Sequence, residues 1–203
     1  MDALGLLRSR VFLVFLLTTG LVKGAHGMFY TFGVLHWREQ GLDTAWSGIL
    51  WGVAIVCEVA LFAYSAAVLR RVGPVQLIML GCGAAVVRWL LMGFDPPLAL
   101  LVLLQISHSL TYGASHIGAI HFMSRMVPDQ QSGTAQALYA SVTGGIGLGG
   151  AMLIAGPLYA SYGGRAYWAM AIMAAVALAA SLALKRMAQP HSVGWGGETS
   201  APS

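Results

Sequence analysis

The sequence predicts an all-α membrane protein whose six transmembrane helices pack as one bundle. Three observations carry that reading. Of the 203 residues, 58% are hydrophobic and only 9% charged, whereas soluble domains carry about a quarter charged residues. Mean hydropathy is +0.74. The apolar residues fall into six runs, each near the ~20 residues that one helical crossing needs, and short polar breaks separate them. This composition argues against a soluble enzyme.

The first span is placed at 11–37. RVFLVFLL runs straight into further apolar sequence without a small-residue cleavage pattern, as expected of a span rather than a signal peptide. Thr19, Lys23, His26, Tyr30 and Gly33 recur at steps of four, three, four and three, which makes one polar stripe on a helix. Gly20 and Gly24 form a small pair on a neighbouring face, where another helix can approach closely. After REQGLD comes the second span, 45–69, with Trp51, Glu58 and Ser65 at seven-residue steps and Phe62 one turn from Glu58. LRRVGP leads to the third, 74–93, which holds Arg88. GFDPP precedes the fourth, 98–123, where Gln105, His108, Tyr112 and His116 line up, flanked by Ser109 and Ser115. Beyond SRMVPDQQSG lies the fifth span, 134–160. Its VTGGIGLGGAM sits inside a span with no strand before it, so it predicts close helix packing and gating flexibility rather than phosphate binding. SYGGR leads to the sixth span at 165–184. Residues 1–10 are expected to form a cytoplasmic N-terminal segment, 11–186 the transmembrane domain and 187–203 a disordered cytoplasmic tail.

Charge sets the expected orientation. With a cytoplasmic N-terminus, Arg8, Arg10, Arg70, Arg71, Arg125, Lys185 and Arg186 fall on the inner side, and only Arg38 and Arg165 on the outer. That bias predicts both termini in the cytoplasm of a multi-pass protein of the cytoplasmic (inner) membrane. The remaining basic residues, Lys23 and Arg88, fall inside spans, as does Glu58. A charge at mid-membrane costs at least about 2.5–3.5 kcal/mol, so such groups face the bundle interior and pair or line a wet cavity. Two cations against one anion suit an anionic ligand, or a carboxylate supplied from elsewhere. Against this stands the plainer reading of Glu58 and Arg88 as an interhelical ion pair. His26, His108 and His116 read equally as cross-helix hydrogen-bonding groups.

Other chemistries are weaker. Cys57 and Cys82 lie in apolar runs with no metal or redox spacing, as small buried hydrophobes do. Paired histidines can ligate haem, but the repeated same-helix pairing of a two-haem bundle is missing. GASH at 113–116 suggests an intramembrane serine protease, yet residues 165–184 contain no histidine to serve as base. No metal, cofactor or nucleic-acid partner is expected.

The runs GAHGMFYTF at 24–32, CEVALFAYS at 57–65, LRRVG at 69–73, VVRWLLMG at 86–93, LLQISHSLTYGASH at 103–116, TAQALYASVTGGIGLGGAM and GPLYASYGGRAYW occur in a telling order. Over about residues 8 to 186 the chain resembles the C-terminal six-helix half of the major facilitator superfamily. It looks nearest to the branch containing 3-phenylpropionate permease and, more distantly, lactose permease. LRRVG looks like the second-half echo of the superfamily's cytoplasmic loop signature, with Arg70 where an aspartate usually stands. Arg88 and His108 match an arginine and a histidine of proton-coupled sugar transport. The acidic residue expected one turn later is Thr111, which leaves Glu58 as the substitute.

The resemblance implies secondary transport, by proton symport, of a small anionic organic solute such as an aromatic carboxylate. Two halves would rock about a midplane site. Lys23 and Arg88, with Trp51 and Tyr112 as walls, are the expected substrate-binding residues. Glu58 and His108 are the proton-coupling residues, and His26, Tyr30, Gln105 and His116 the secondary candidates. One half implies a fragment whose partner is the missing N-terminal half or a second copy. The alternatives are a non-transporting assembly partner and half of a sugar or nucleoside symporter.

Overall fold

The computed structural model describes residues 3–188, and every element among them is helical. α1 (Ala3–Arg8) is followed by α2 (Arg10–Gly24), whose N-terminus is capped by Ser9 accepting from the Phe12 amide at 3.4 Å. Such a cap satisfies one of the four amides that a helix start leaves open. The chain breaks its regular pairing at Ala25 and His26 and resumes as α3 (Gly27–Glu39), so the first crossing is two helices in series. Asp43 caps α4 (Thr44–Ala63) by accepting from the Trp46 amide at 3.0 Å. α5 (Ser65–Arg71) completes the second crossing. Pro74, which lacks the amide a first turn cannot use, opens α6 (Pro74–Met92).

The fourth crossing joins α7 (Leu98–Ile106), a π-helical turn (Ser109–Ala114) and α8 (Ser115–Met126). The fifth joins α9 (Ser132–Ala140), a longer π-helical stretch (Ser141–Gly149) and α10 (Gly150–Tyr162). α11 (Tyr167–Ala188) is the sixth.

Five stretches are apolar and long enough to cross a membrane, the last being the 60 residues from Asp129 to Ala188. One straight helix of that length would reach about 90 Å, three times the hydrocarbon core. It turns back instead at Gly163, whose φ of 55° lies in the left-handed region that favours glycine. α9 packs on α1 at one end of the bundle, Gly164 lies against His36 and Asp95 at the other, and Ala188 returns to a cavity lined by Pro74 and Arg125. The stretch therefore crosses twice, and the described residues make six crossings. By this alternation Arg8, Arg70, Arg71, Arg125, Lys185 and Arg186 gather at one end and Arg38 and Arg165 at the other. The final helix runs through Ala188, so Met187 and Ala188 belong to it and not to the expected tail; residues 189–203 lie outside the described residues.

α11 packs most extensively on α6 and α2 and forms the centre with them, while α4 is peripheral and buries only Ser47, Leu50 and Ala54. The expected glycine contact is present. A Cβ on Gly24 would stand 2.7 Å from the Gly147 carbonyl oxygen, and one on Gly27 the same distance from the Ala151 Cβ. The first and fifth crossings thus touch backbone to backbone, a closeness only small residues permit. This seam fixes the height of Lys23 and His26 against the rest of the bundle.

Candidate functional site

The expected polar residues converge where α2, α3, α4, α6 and the π-turn of the fourth crossing meet. Arg88 is 1% exposed and lies between Phe29 and Trp89, with its guanidinium carbon 4.9 and 4.6 Å from their ring centres. Such faces attract a desolvated cation by about 2 kcal/mol or more. Its Nη1 donates to His108 Nδ1 at 2.8 Å and to Thr111 Oγ1 at 3.2 Å, and its Nη2 donates to Gln105 Oε1 at 3.0 Å. All three acceptors are neutral, and among the described residues no carboxylate lies within ion-pair distance of Arg88 or of Lys23.

Donor counting fixes the direction of the network. Guanidinium can only donate, so His108 Nδ1 accepts and its proton is on Nε2, which faces Glu58 Oε2 at 3.5 Å. The alternative reading of Glu58 and Arg88 as a direct ion pair is not what forms, because His108 lies between the two charges. On the other side His26 Nδ1 donates to the Val22 carbonyl at 3.0 Å, which leaves Nε2 as an acceptor for the Thr111 hydroxyl at 3.1 Å. The protons thus run outward from Arg88, through Thr111 to His26 and through His108 towards Glu58. Arg88 Nε and Gln105 Nε2 are buried without a partner. A buried donor left unpaired costs about 1–3 kcal/mol.

His26 is the hub of the aromatic packing. Its ring centre lies 5.1 Å from Trp89, 5.5 Å from His108 and 5.8 Å from both Tyr30 and Tyr112. Trp51 joins through Phe29 at 4.8 Å and Tyr30 at 5.8 Å. Lys23 is half-buried, with Nζ 4.9 Å from the Tyr112 ring centre. Tyr112 stacks between His108 and His116, and His116 Nδ1 meets the Tyr139 hydroxyl at 3.1 Å. A small cavity of about 10 Å³ lies among Lys23, His26, Tyr112, His116 and Tyr139. That is space for one water at most. All ten expected residues meet here. The Ser109 hydroxyl donates instead to the Ile106 carbonyl of its own crossing at 2.8 Å.

Three participants were not among the expected site residues: Thr111, Phe29 and Trp89. Thr111 is one turn from His108 and could have been seen from that spacing alone. The π-turn at Ser109–Ala114 directs both His108 and Thr111 at Arg88, and such turns are common at functional sites.

The sequence profile of the MFS_1 like family, of the major facilitator superfamily, matches residues 1–170. The chain belongs to that family. It is accordingly a multi-pass membrane protein of the transporter kind and not an enzyme. Among curated proteins it is 30% identical over 164 residues to the probable 3-phenylpropionic acid transporter of Escherichia coli, covering 81% of this chain and 43% of that protein. It is 29% identical over 160 residues to the maltose permease of Geobacillus stearothermophilus, covering 77% and 40%. An uncharacterized transporter of Bacillus subtilis is 22% identical over 142 residues, covering 70% and 36%. The chain thus spans less than half the length of these facilitator relatives. No solved structure matches it.

Proposed function

We propose that this chain is one half of a proton-coupled carrier for a small organic anion, such as an aromatic carboxylate, in the cytoplasmic membrane. Both termini face the cytoplasm in this reading, because the basic residues gather at that end of the bundle. The other half of the binding crevice comes from a six-helix N-terminal half or a second copy. The observation that carries the proposal is the uncompensated cation at the centre: Arg88 is buried, ringed by aromatic faces and held by neutral acceptors alone.

A solute carboxylate attracted by Lys23 and Arg88 would draw on Arg88 donors now given to His108 and Thr111. His108 Nδ1 would lose its donor and become free to bind a proton, which Glu58 would share through Nε2. Neutralising the pair removes a desolvation penalty that opposes rocking of the two halves. Trp51 and Tyr112 would wall an aromatic ring. The likeness to maltose permease favours a second reading, in which a sugar bonds to Gln105 and Glu58 and Arg88 stays structural.

The test is uptake of labelled phenylpropionate and maltose into vesicles holding the chain with its other half, at two external pH values. For the anion reading, Arg88→Ala abolishes phenylpropionate uptake, and Glu58→Gln leaves binding but removes the pH dependence. Uptake that both variants leave unchanged would overturn the assignment, and uptake of maltose alone would select the sugar reading.

A further inference from the structure

At the arginine-poor end of the bundle, four polar side chains outside the site described above enclose the ring of His36. His36 is 4% exposed, although it lies only three residues from the end of α3. Its Nδ1 meets the Tyr159 hydroxyl of α10 at 3.0 Å, and that hydroxyl in turn donates to Glu39 Oε2. Its Nε2 meets Asp95 Oδ1 at 3.1 Å, in the loop between α6 and α7, and the Asp95 side chain is 60% exposed to water. Gln40 Nε2 lies 3.1 Å from His36 Nε2 and donates to Asp95 Oδ1 at 3.3 Å. Tyr167 of α11 packs on the ring at 5.6 Å between centres. The titratable and charged groups facing His36 are thus Asp95, Glu39, Tyr159 and Tyr167.

We propose that this cluster is a second proton-binding site, separate from the Arg88 network, and that its occupancy clamps α3, α10 and the Asp95 loop together. The argument is a count of protons. Because Tyr159 gives its own proton to Glu39, its oxygen must accept from His36, which requires a proton on Nδ1. A carboxylate only accepts, so the Asp95 contact requires a proton on Nε2. Both links at once need the doubly protonated ring, in which Nε2 no longer accepts from Gln40, and Gln40 Nε2 then donates to Asp95 Oδ1 alone. A ring with one proton keeps one link. If the proton stays on Nδ1, the Nε2 lone pair faces Asp95, and only Gln40 holds that loop. If it stays on Nε2, Nδ1 takes the Tyr159 proton and Glu39 is released.

The sign follows directly: the clamp is complete when His36 holds two protons and loses one link as pH rises. Asp95 is the water-facing member and the route of entry. Gly164 shows how tightly the clamp is built, because a Cβ there would collide with the Asp95 carboxylate and stand 3.0 Å from His36 Nε2. The site acts whether or not the chain carries a solute.

The test is the full chain in lipid nanodiscs, with ¹⁵N spectra of the histidine rings across a pH series and hydrogen exchange of residues 93–97 and 159–166 at each pH. Exchange is read as a ratio to His36→Gln under the same conditions, which removes the intrinsic pH dependence. The expected result is that wild-type protection relative to His36→Gln falls about tenfold as His36 passes from two protons to one, the size expected for one hydrogen bond to a charged group. Should His36→Gln fail to fold, Asp95→Asn on the exposed loop serves as reference. The proposal is overturned if the His36 ring keeps a single protonation state throughout, or if wild type and variant lose protection together.

Discussion

Replacing Thr111 with valine removes one hydroxyl and almost no volume, and both side chains are β-branched, so the backbone preference is unchanged. Two cross-helix contacts go with the hydroxyl: the Arg88 donor at 3.2 Å and the His26 acceptor at 3.1 Å. In a water-soluble core, a bond to a charged group contributes about 1.5–3 kcal/mol and a neutral one about 0.5–1.5 kcal/mol. Inter-helix bonds inside a bilayer average only about 0.6 kcal/mol, with a ceiling near 1.7 kcal/mol, because the unfolded helices also find partners. The expected cost of Thr111→Val is therefore about 1–3 kcal/mol, the range two such bonds span. Thr111→Ser keeps both contacts and loses a methyl group, about 0.8 kcal/mol. The assay is denaturant unfolding of the full chain in mixed micelles, paired with ¹⁵N spectra of His26. Wild type and both variants should keep the proton on Nδ1, which the Val22 carbonyl accepts, while Thr111→Val, lacking the donor to Nε2, should shift the Nε2 resonance. Wild-type stability in Thr111→Val together with an unchanged His26 spectrum would refute the chain of bonds running from Arg88 to Val22.

Further outcomes follow from the same geometry. Gly24→Ala should destabilise the bundle by about 1–3 kcal/mol through overpacking, because the new methyl would stand 2.7 Å from the Gly147 carbonyl. Gly48→Ala, with nothing within 4 Å, should be neutral or mildly stabilising, and thermal unfolding of the pair checks the contrast. Arg88→Lys keeps the charge but cannot fork between His108 and Gln105, so phenylpropionate uptake in vesicles should fall nearly as far as in Arg88→Ala. Tyr112→Leu removes the face over which Lys23 lies, about 0.5–2 kcal/mol of attraction, and should weaken binding of a labelled anion at equilibrium.

Much of this was legible in the sequence because the bilayer restricts what a polar residue can do. Lys23, Glu58, Arg88 and the fourth-crossing histidines stand out in apolar runs, and helical spacing places each on an inward face. Gly20 and Gly24 were legible for the same reason, since two small residues four apart leave a groove. What could not be read was the exchange of partners at Arg88. An ion pair with Glu58 follows from counting charges, but the π-turn at Ser109–Ala114 directs His108 between them and brings in Thr111. No periodic reading with 3.6 residues per turn registers that widening. The His36 cluster was hidden differently: a histidine near a span end reads as a surface group, and its four partners come from three separate segments.

Both polar networks hold the same short rod. α3 begins beside His26, whose ring is tied to Thr111, and ends at His36, Glu39 and Gln40, about 20 Å away at 1.5 Å per residue. The helix changes pitch at this junction, where the His26 amide donates to the Lys23 carbonyl at 3.1 Å instead of to the carbonyl four residues back, so bending of α3 is easiest there. The contact of Gly27 with Ala151 supplies the fulcrum, being too close to allow sliding. In the proposed clamp, a link released at the His36 end would let the rod turn about the point where His26 touches the arginine network. Coupling between the two ends then needs no continuous path of charges through the apolar core, only a helix stiff enough to carry a small rotation.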